Sequence, residues 1–491
     1  MRLIRFLTKQ SNVMKRYIIA AIAIAVTGCG IYKPYSRPDV DMSGLYGAEH
    51  ETQDTLSIAD VEWREFFTDR QLQALISQAL EQNADMQSAY WRIEEAEAAL
   101  KSARLAFIPS FNLAPNGGVS SFANSNAAWS YTAPLSASWQ IDIFGGLLNA
   151  KRKAQATYAQ SKEYRQAVRT QLIAAVANYY YTLLMLDDSY EVTLRTAESL
   201  DASAEAMRSM MSAGMTNLAG VAQMEAAAFA ARASLNDIEL QIRQVENSLS
   251  LLLFETPQSI ERGKLDEQQL PETIATGVPL RMLSNRPDVR MAEYGLMQSY
   301  YATAAARSAL YPSLKLEGVI GWTNNVGSII TNPGGLILSA AASLTAPIFN
   351  GGKLRAQLRI AEAQQQEAAL SFRQALLNAG AEVNNALAAV QTARAKRELR
   401  AKQIESLQSA AESTQLLMQY GSTTYLEVLT AQQELLAGQL SEIGDRYDEI
   451  EAMVSLYTSL GGGRESDTEA DASLKSIKEQ KKSEKKNRKR K

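Results

Sequence analysis

The chain has 491 residues, 50 Lys and Arg against 53 Asp and Glu, one cysteine and one histidine. A single cysteine excludes a disulfide framework and a cysteine-rich metal site, and one histidine without a Gly-rich phosphate loop after a strand argues against catalysis. The formal charge of −3 is unevenly spread: without residues 1–28 and the tail Lys475–Lys491, 35 basic residues face 51 acidic ones, so the body is acidic and the tail strongly basic.

In chain order, Met14-Lys15-Arg16 supplies a basic region, Tyr17–Val26 an apolar run of ten residues, and Val26-Thr27-Gly28-Cys29 a small-residue cleavage site. Ten apolar residues do not span a bilayer, so residues 1–28 read as a removed export signal. Cys29 resembles the lipobox cysteine of bacterial lipoproteins, with Val26 at the usual Leu position. That resemblance implies a covalent lipid on Cys29, enough acyl chains to hold the amino terminus in a membrane. Gly30 after it, rather than Asp, implies delivery to the outer membrane. His50 falls in the polar linker 29–59 and reads as solvated.

From residue 60 the chain is a tandem repeat. Asn83-Ala84-Asp85-Met86 leads to Ala106-Phe107-Ile108-Pro109-Ser110, and Arg286-Pro287-Asp288-Val289 leads to Ala309-Leu310-Tyr311-Pro312-Ser313, at an offset of 203. Ile143-Phe144-Gly145-Gly146 answers Ile348-Phe349-Asn350-Gly351-Gly352, and Gly214 answers Gly421 at an offset of 207. The first repeat covers 60–256, with strands near 111–120 and 129–143 and a helical hairpin over 147–255. A linker follows at 257–278. The second repeat covers 279–463, with strands near 314–322 and 336–348 and a hairpin over 353–460. Residues 464–491 form a disordered basic tail, which in an exported protein meets solvent or anionic envelope polymers rather than nucleic acid.

Leu147–Ala213 contains no Gly or Pro, and Lys353–Tyr420 only Gly380. At 1.5 Å per residue each run makes a helix of about 100 Å, which points to a coiled coil or a helical tube. The runs turn at Gly214-Met215 and at Tyr420-Gly421, and a second helix returns from each. Four methionines, Met207, Met210, Met211 and Met215, cluster at the first of these turns. Thioethers bind Cu(I) or Ag(I), but adaptable packing against a partner is the plainer reading, and no metal site is assigned. Gly351-Gly352-Lys353 is only superficially a phosphate loop, since it lacks the upstream glycine and a Ser or Thr after the lysine.

The β-stretches argue against a solid rod. Between Trp129 and Ile143 every odd position is apolar and every even position is Ser, Thr, Pro, Gln or Asp. Leu336–Ile348 repeats the alternation. Period two with aromatic residues near the ends is the pattern of a strand with lipid on one side and water on the other. Four strands do not close a barrel, and open edges have no water to bind in hydrocarbon, so several chains must share one wall.

The segments Trp63-Arg64-Glu65-Phe66-Phe67, Asn285–Glu293, Tyr311-Pro312-Ser313-Leu314, Tyr420-Gly421, Tyr425–Gln432 and Ser459-Leu460-Gly461-Gly462-Gly463, in this order, resemble the TolC-like outer-membrane efflux factors, in particular the lipoprotein branch serving resistance-nodulation-division pumps. The resemblance implies a mainly α fold with a membrane β-barrel: four strands per chain in a barrel shared by a homotrimer, continued by a long α-helical barrel in the periplasm. It implies a passive conduit that is not an enzyme and has no dissociable cofactor. A periplasmic adaptor and an inner-membrane transporter would be its partners. Leu426, Glu427 and Thr430 match pore-facing positions at the periplasmic constriction, with Thr430 in place of a frequent Asp. Gly214, Met215, Tyr420 and Gly421 mark the hairpin tips that would touch the adaptor. Two other functions stay open on the sequence: the conduit of an ABC-type secretion system, and a non-conducting lipoprotein rod.

Overall fold

The computed structural model describes residues 33–38, 61–121, 127–269, 286–324, 335–465 and 477–479. The export signal, Cys29, His50, nearly all of the linker 29–59 and most of the basic tail lie outside the described residues. The chain divides into two compact units. One contains Arg92–Lys162 and Met291–Gln374, and the other contains Asp41–Trp91, Glu163–Arg290 and Ala375–Lys491.

Helices α1 (Trp63–Phe66), α2 (Arg70–Gln82) and α3 (Ala84–Leu105) precede strands β1 (Ser110–Leu113), β2 (Asn116–Ser120) and β3 (Ala128–Ile141). Helices α4 (Gly146–Ser212) and α5 (Leu218–Leu252) complete the first copy. The second copy runs α6 (Pro287–Ser308), β4 (Ser313–Asn324), β5 (Gly335–Thr345), α7 (Lys353–Gln419) and α8 (Tyr425–Ser459). The copies match in helix length: 22 residues in α3 and α6, 67 in α4 and α7, 35 in α5 and α8. Gly380 does not break α7. No helix among the described residues is long and apolar enough to cross a membrane.

Local chemistry sets the helix starts. Asp69 accepts from the backbone N–H of Gln71 at 2.7 Å and opens α2, and Asn83 accepts from Asp85 N–H at 2.8 Å and opens α3. Pro287 occupies the first position of α6, where its missing N–H costs nothing. Both long helices end in a left-handed glycine. Gly214 (φ 75°) and Gly421 (φ 67°) allow Met215 N–H to reach Met210 O and Ser422 N–H to reach Leu417 O, each at 2.9 Å, which satisfies carbonyls the helix leaves free.

The strands form one antiparallel sheet in which β1 and β2 both pair with β3, β3 pairs with β4, and β4 with β5. The expected single strand near 111–120 is thus two pieces in one continuous register, Leu113 opposite Leu135 and Asn116 opposite Thr132. Pro115 lies at the break, and it has no N–H to give the ladder. β3 stops at Ile141 rather than at Ile143, because Asp142 turns to accept Leu148 N–H at 2.7 Å and caps the incoming helix. β5 stops at Thr345, short of Ile348, with Pro347 following.

Candidate functional site

The sheet's register gathers the apolar alternation onto one face. Leu135 lies opposite Leu113 on one side and Ile320 on the other, and Ile320 lies opposite Leu338. Trp322 pairs with Leu336, and Trp139 with Leu316. The alternate positions present Ser110, Asn112, Thr132, Ser136, Ser138, Glu317 and Ser343. Leu336, Leu338 and Leu344 are each 65% exposed or more, far beyond what a finished sheet leaves in water. Among the described residues the β1/β2 ribbon and β5 pair on one side only, which leaves the sheet two open edges.

Pro134 interrupts donation in the middle of β3, where proline is rare. Its neighbour across β4 is Gly321, and a Cβ there would lie 2.3 Å from Ala133 O and 2.7 Å from Pro134 Cα. The backbones approach so closely that only glycine fits.

The helix tips meet in a buried cluster of Met207, Val221, Met418 and Val428, with Met210, Met211 and Tyr425 packed against it. Two of the methionines singled out in the sequence, Met210 and Met211, are therefore partners of this core, Met207 is within it, and Met215 is 65% exposed at the turn. Gly220 lets the tips close: a Cβ on it would lie 2.7 Å from Met207 Cε and 3.1 Å from the Tyr425 ring. Further from the turn, Gln432 of α8 donates to Ser199 Oγ of α4 at 3.1 Å.

Leu426, Glu427 and Thr430 lie together on an exposed strip of the first turns of α8, while Val428 and Leu429 between them are buried. The Glu427 carboxylate accepts from the Thr423 hydroxyl, and the Thr430 hydroxyl donates to Leu426 O at 2.9 Å. A carboxylate in the first turn also complements the helix dipole, so Glu427 has a local structural role that leaves its charge facing solvent. Gly214, Gly421 and Tyr420 are exposed at the turns, Tyr420 to 81%. Cys29 is outside the described residues.

Sequence reasoning noted Arg286 and Ser459–Gly463 only as family markers and missed what they do. Arg286 is buried, donates to Ser459 O at 2.8 Å, and forms a fork with Asp288 at 2.7 and 3.0 Å and a further bond to Glu382. Burial alone would lower its pKa, but the two carboxylates outweigh that and raise it. Gly461 and Gly463 adopt positive φ, so the chain after α8 folds back on α4. Gln166 and Arg169 donate to Gly463 O, each at 3.1 Å, and Thr170 donates to Gly462 O at 3.2 Å. Glu163 then accepts from Arg290 and Arg464, and Glu465 from Arg165. A latch of ion pairs centred on the buried Glu163 and Arg165 holds the end of the second copy to the first. Its partners lie as far as 301 residues apart, which no local signal reveals.

A sheet with one apolar face and two edges open among the described residues, in a chain of very long helices, can build a wall. Among the described residues no group of His, Cys, Asp and Glu is arranged to hold a metal. The model of the family described as outer membrane efflux protein matches residues 75–253 and 278–462, one stretch in each copy. The cation efflux system protein CusC of Escherichia coli (strain K12) is 28% identical over 457 residues, covering 90% of this chain and 98% of its own. The pyoverdine export outer membrane protein OpmQ of Pseudomonas aeruginosa is 29% identical over 421 residues, covering 83% and 88%. A crystal structure of CusC superposes with a TM-score of 0.80 at 28% identity, covering 88% of this chain and 100% of that one. The open state of the Neisseria gonorrhoeae MtrE outer membrane channel gives 0.80 at 26% identity, covering 88% and 98%. With both copies matched by the family model and the fold shared with solved channels along nearly their whole length, the chain belongs to the outer membrane efflux protein family.

Proposed function

We propose that this protein is the outer-membrane channel of a tripartite efflux system, a passive conduit with no enzymatic step, built from three copies of the chain. The observation that carries the reading is the sheet: one apolar face across four antiparallel ribbons, with both edges open. Hydrocarbon offers no water to such edges, so they must pair with other copies. An even number of antiparallel ribbons per copy keeps the seam between copies antiparallel and lets the ring close head to tail. Two copies would give an eight-stranded barrel, of a size that side chains fill, whereas three give about twelve strands and room for water. A non-conducting rod needs no lipid-facing sheet.

In this assembly the long helices continue the conduit into the periplasm, and the Leu426, Glu427 and Thr430 strips of the copies converge as its constriction. The exposed turns at Gly214, Met215, Tyr420 and Gly421 meet a periplasmic adaptor, which couples the channel to an inner-membrane transporter of the resistance-nodulation-division class. Acyl chains on Cys29 anchor each copy beside the barrel. The relatives CusC and OpmQ, named for cation efflux and for pyoverdine export, are similar to this chain to nearly the same degree, so likeness selects no substrate. Deletion of the gene tests the reading: cells should accumulate a fluorescent pump substrate and recover on complementation. Unchanged accumulation with loss of a secreted protein would assign the conduit to an ABC-type secretion system instead.

A further inference from the structure

The strand-to-helix junctions carry a charge pattern that the conduit reading does not use. Segments 98–108, 144–156, 303–312 and 348–361, which flank the sheet in both copies, contain nine basic residues and no acidic one, although the body of the chain is acidic; beside them, Asp142 is engaged at Leu148 N–H and Glu362 pairs with Arg307 at 3.1 Å. All four lie in the unit that contains the sheet. Lys101, Arg104, Lys153, Lys353 and Arg355 are exposed and join no carboxylate among the described residues.

An aromatic rim adjoins these charges. Trp139, on the apolar face of β3, donates from Nε1 to Phe107 O at 2.9 Å, and Lys151 Nζ lies 5.9 Å from the centre of the Phe107 ring. Phe144 stacks on Tyr311 at 4.9 Å, which ties the junction of the first copy to that of the second. Leu105, Ile108, Ile348 and Phe349 add exposed apolar surface at the same level. Trp129 lies ten residues from Trp139 along β3. At about 3.3 Å per residue and a tilt near 40°, that separation spans about 25 Å, the height of a barrel's apolar band. Trp139 and Tyr311 thus mark one rim of the band, with the cations directly beyond it.

We propose that this collar, centred on Lys101, Arg104, Lys151, Lys153, Lys353 and Arg355, binds the headgroups of anionic phospholipids in the periplasmic leaflet. Long basic side chains rooted beside an apolar band place their stems along acyl chains and their charges at phosphate level. The proposal rests on the membrane reading of the sheet, and it commits to lipid-borne phosphate.

The test is native mass spectrometry of the full-length assembly released from detergent containing equal phosphatidylglycerol and phosphatidylcholine. Six clustered cations at an anionic surface predict a preference of about tenfold or more for phosphatidylglycerol. The variant K101Q/R104Q/K151Q/K153Q/K353Q/R355Q should fall to near parity, and the charge-keeping variant with Lys and Arg exchanged should retain the preference. Equal retention of both lipids by the wild type would overturn the proposal, as would an undiminished preference in the glutamine variant or displacement of the lipid by excess inorganic phosphate. Conductance of the same preparation in planar bilayers separates the two claims: a conducting channel without lipid preference refutes the collar alone, and a protein that never inserts refutes the membrane reading.

Discussion

Gly321→Ala, compared with Gly318→Ala three residues earlier on the same strand, probes how tightly the wall is built. A methyl group at 318 meets nothing nearer than Ser339 O at 3.8 Å, an ordinary contact. At 321 it would lie 2.3 Å from Ala133 O and 2.7 Å from Pro134 Cα, both backbone atoms that no rotamer change can remove. Both substitutions stiffen the unfolded chain alike, by about 0.4–1 kcal/mol, so that contribution cancels in the comparison. The remainder is the cost of forcing β3 and β4 apart where Pro134 already withholds a donor, about 1–3 kcal/mol per copy by the scale of overpacked sites. Because the copies share one ring, the penalty multiplies in the assembly. The assay is the fraction of oligomer surviving a temperature series in mild detergent, read on a semi-native gel. Gly318→Ala should track the wild type and Gly321→Ala should dissociate at clearly lower temperature. Equal curves for the two variants would refute the close approach of β3 and β4.

Glu427→Gln should fold normally and reduce cation selectivity in single-channel recordings, since a ring of carboxylates in a narrow opening concentrates cations; unchanged selectivity would leave Glu427 with its local role in the first turn of α8 alone. Glu163→Gln removes the charge that accepts from Arg290 at 3.0 Å and Arg464 at 3.1 Å, and the loss of two charge-assisted hydrogen bonds should cost about 2 kcal/mol, read as a lower midpoint of helical melting. Burial alone would raise the Asp69 pKa, but hydrogen bonds from Tyr180, Gln268 and the N–H groups of Leu72 and Gln71 hold it below the usual carboxylate range. A depressed folded pKa contributes stability above the unfolded value of about 3.9 that is lost as pH falls through the folded value. Melting curves below about pH 4 should therefore show a steeper acid loss in the wild type than in Asp69→Asn. Cys29→Ser should abolish incorporation of labelled palmitate while the protein still fractionates with the outer membrane; retained label would place the lipid elsewhere.

Much of the fold was legible because the physics is local and written twice. A run free of Gly and Pro announces α4 and a run with Gly380 alone announces α7, the glycines at 214 and 421 announce their ends, and period-two alternation announces which face of β3 and β5 is apolar. The offset grows from 203 at Ser110 and Ser313 to 207 at the starts of α4 and α7, and most of the growth falls in the strand-to-helix turn, which is residues 142–145 in the first copy and the longer 346–352 in the second. What remained hidden depends on distant partners. Nothing near Arg286 foretells Ser459, 173 residues away, and nothing near Pro134 foretells the glycine that accommodates it. The strip of Leu426, Glu427 and Thr430 was readable as a helix face, but its role requires the neighbouring copies. Packing is the plainer reading of the methionines around Gly214, and burial of Met207 beside Met418 supports it.

The central claim is that copies of this chain join their ribbons into one sealed wall around water. Single-channel recording of the purified protein in planar lipid bilayers tests it most directly. A discrete, long-lived conductance is the expected result; incorporation of the protein into the bilayer with no conductance above that of bare lipid would contradict the account.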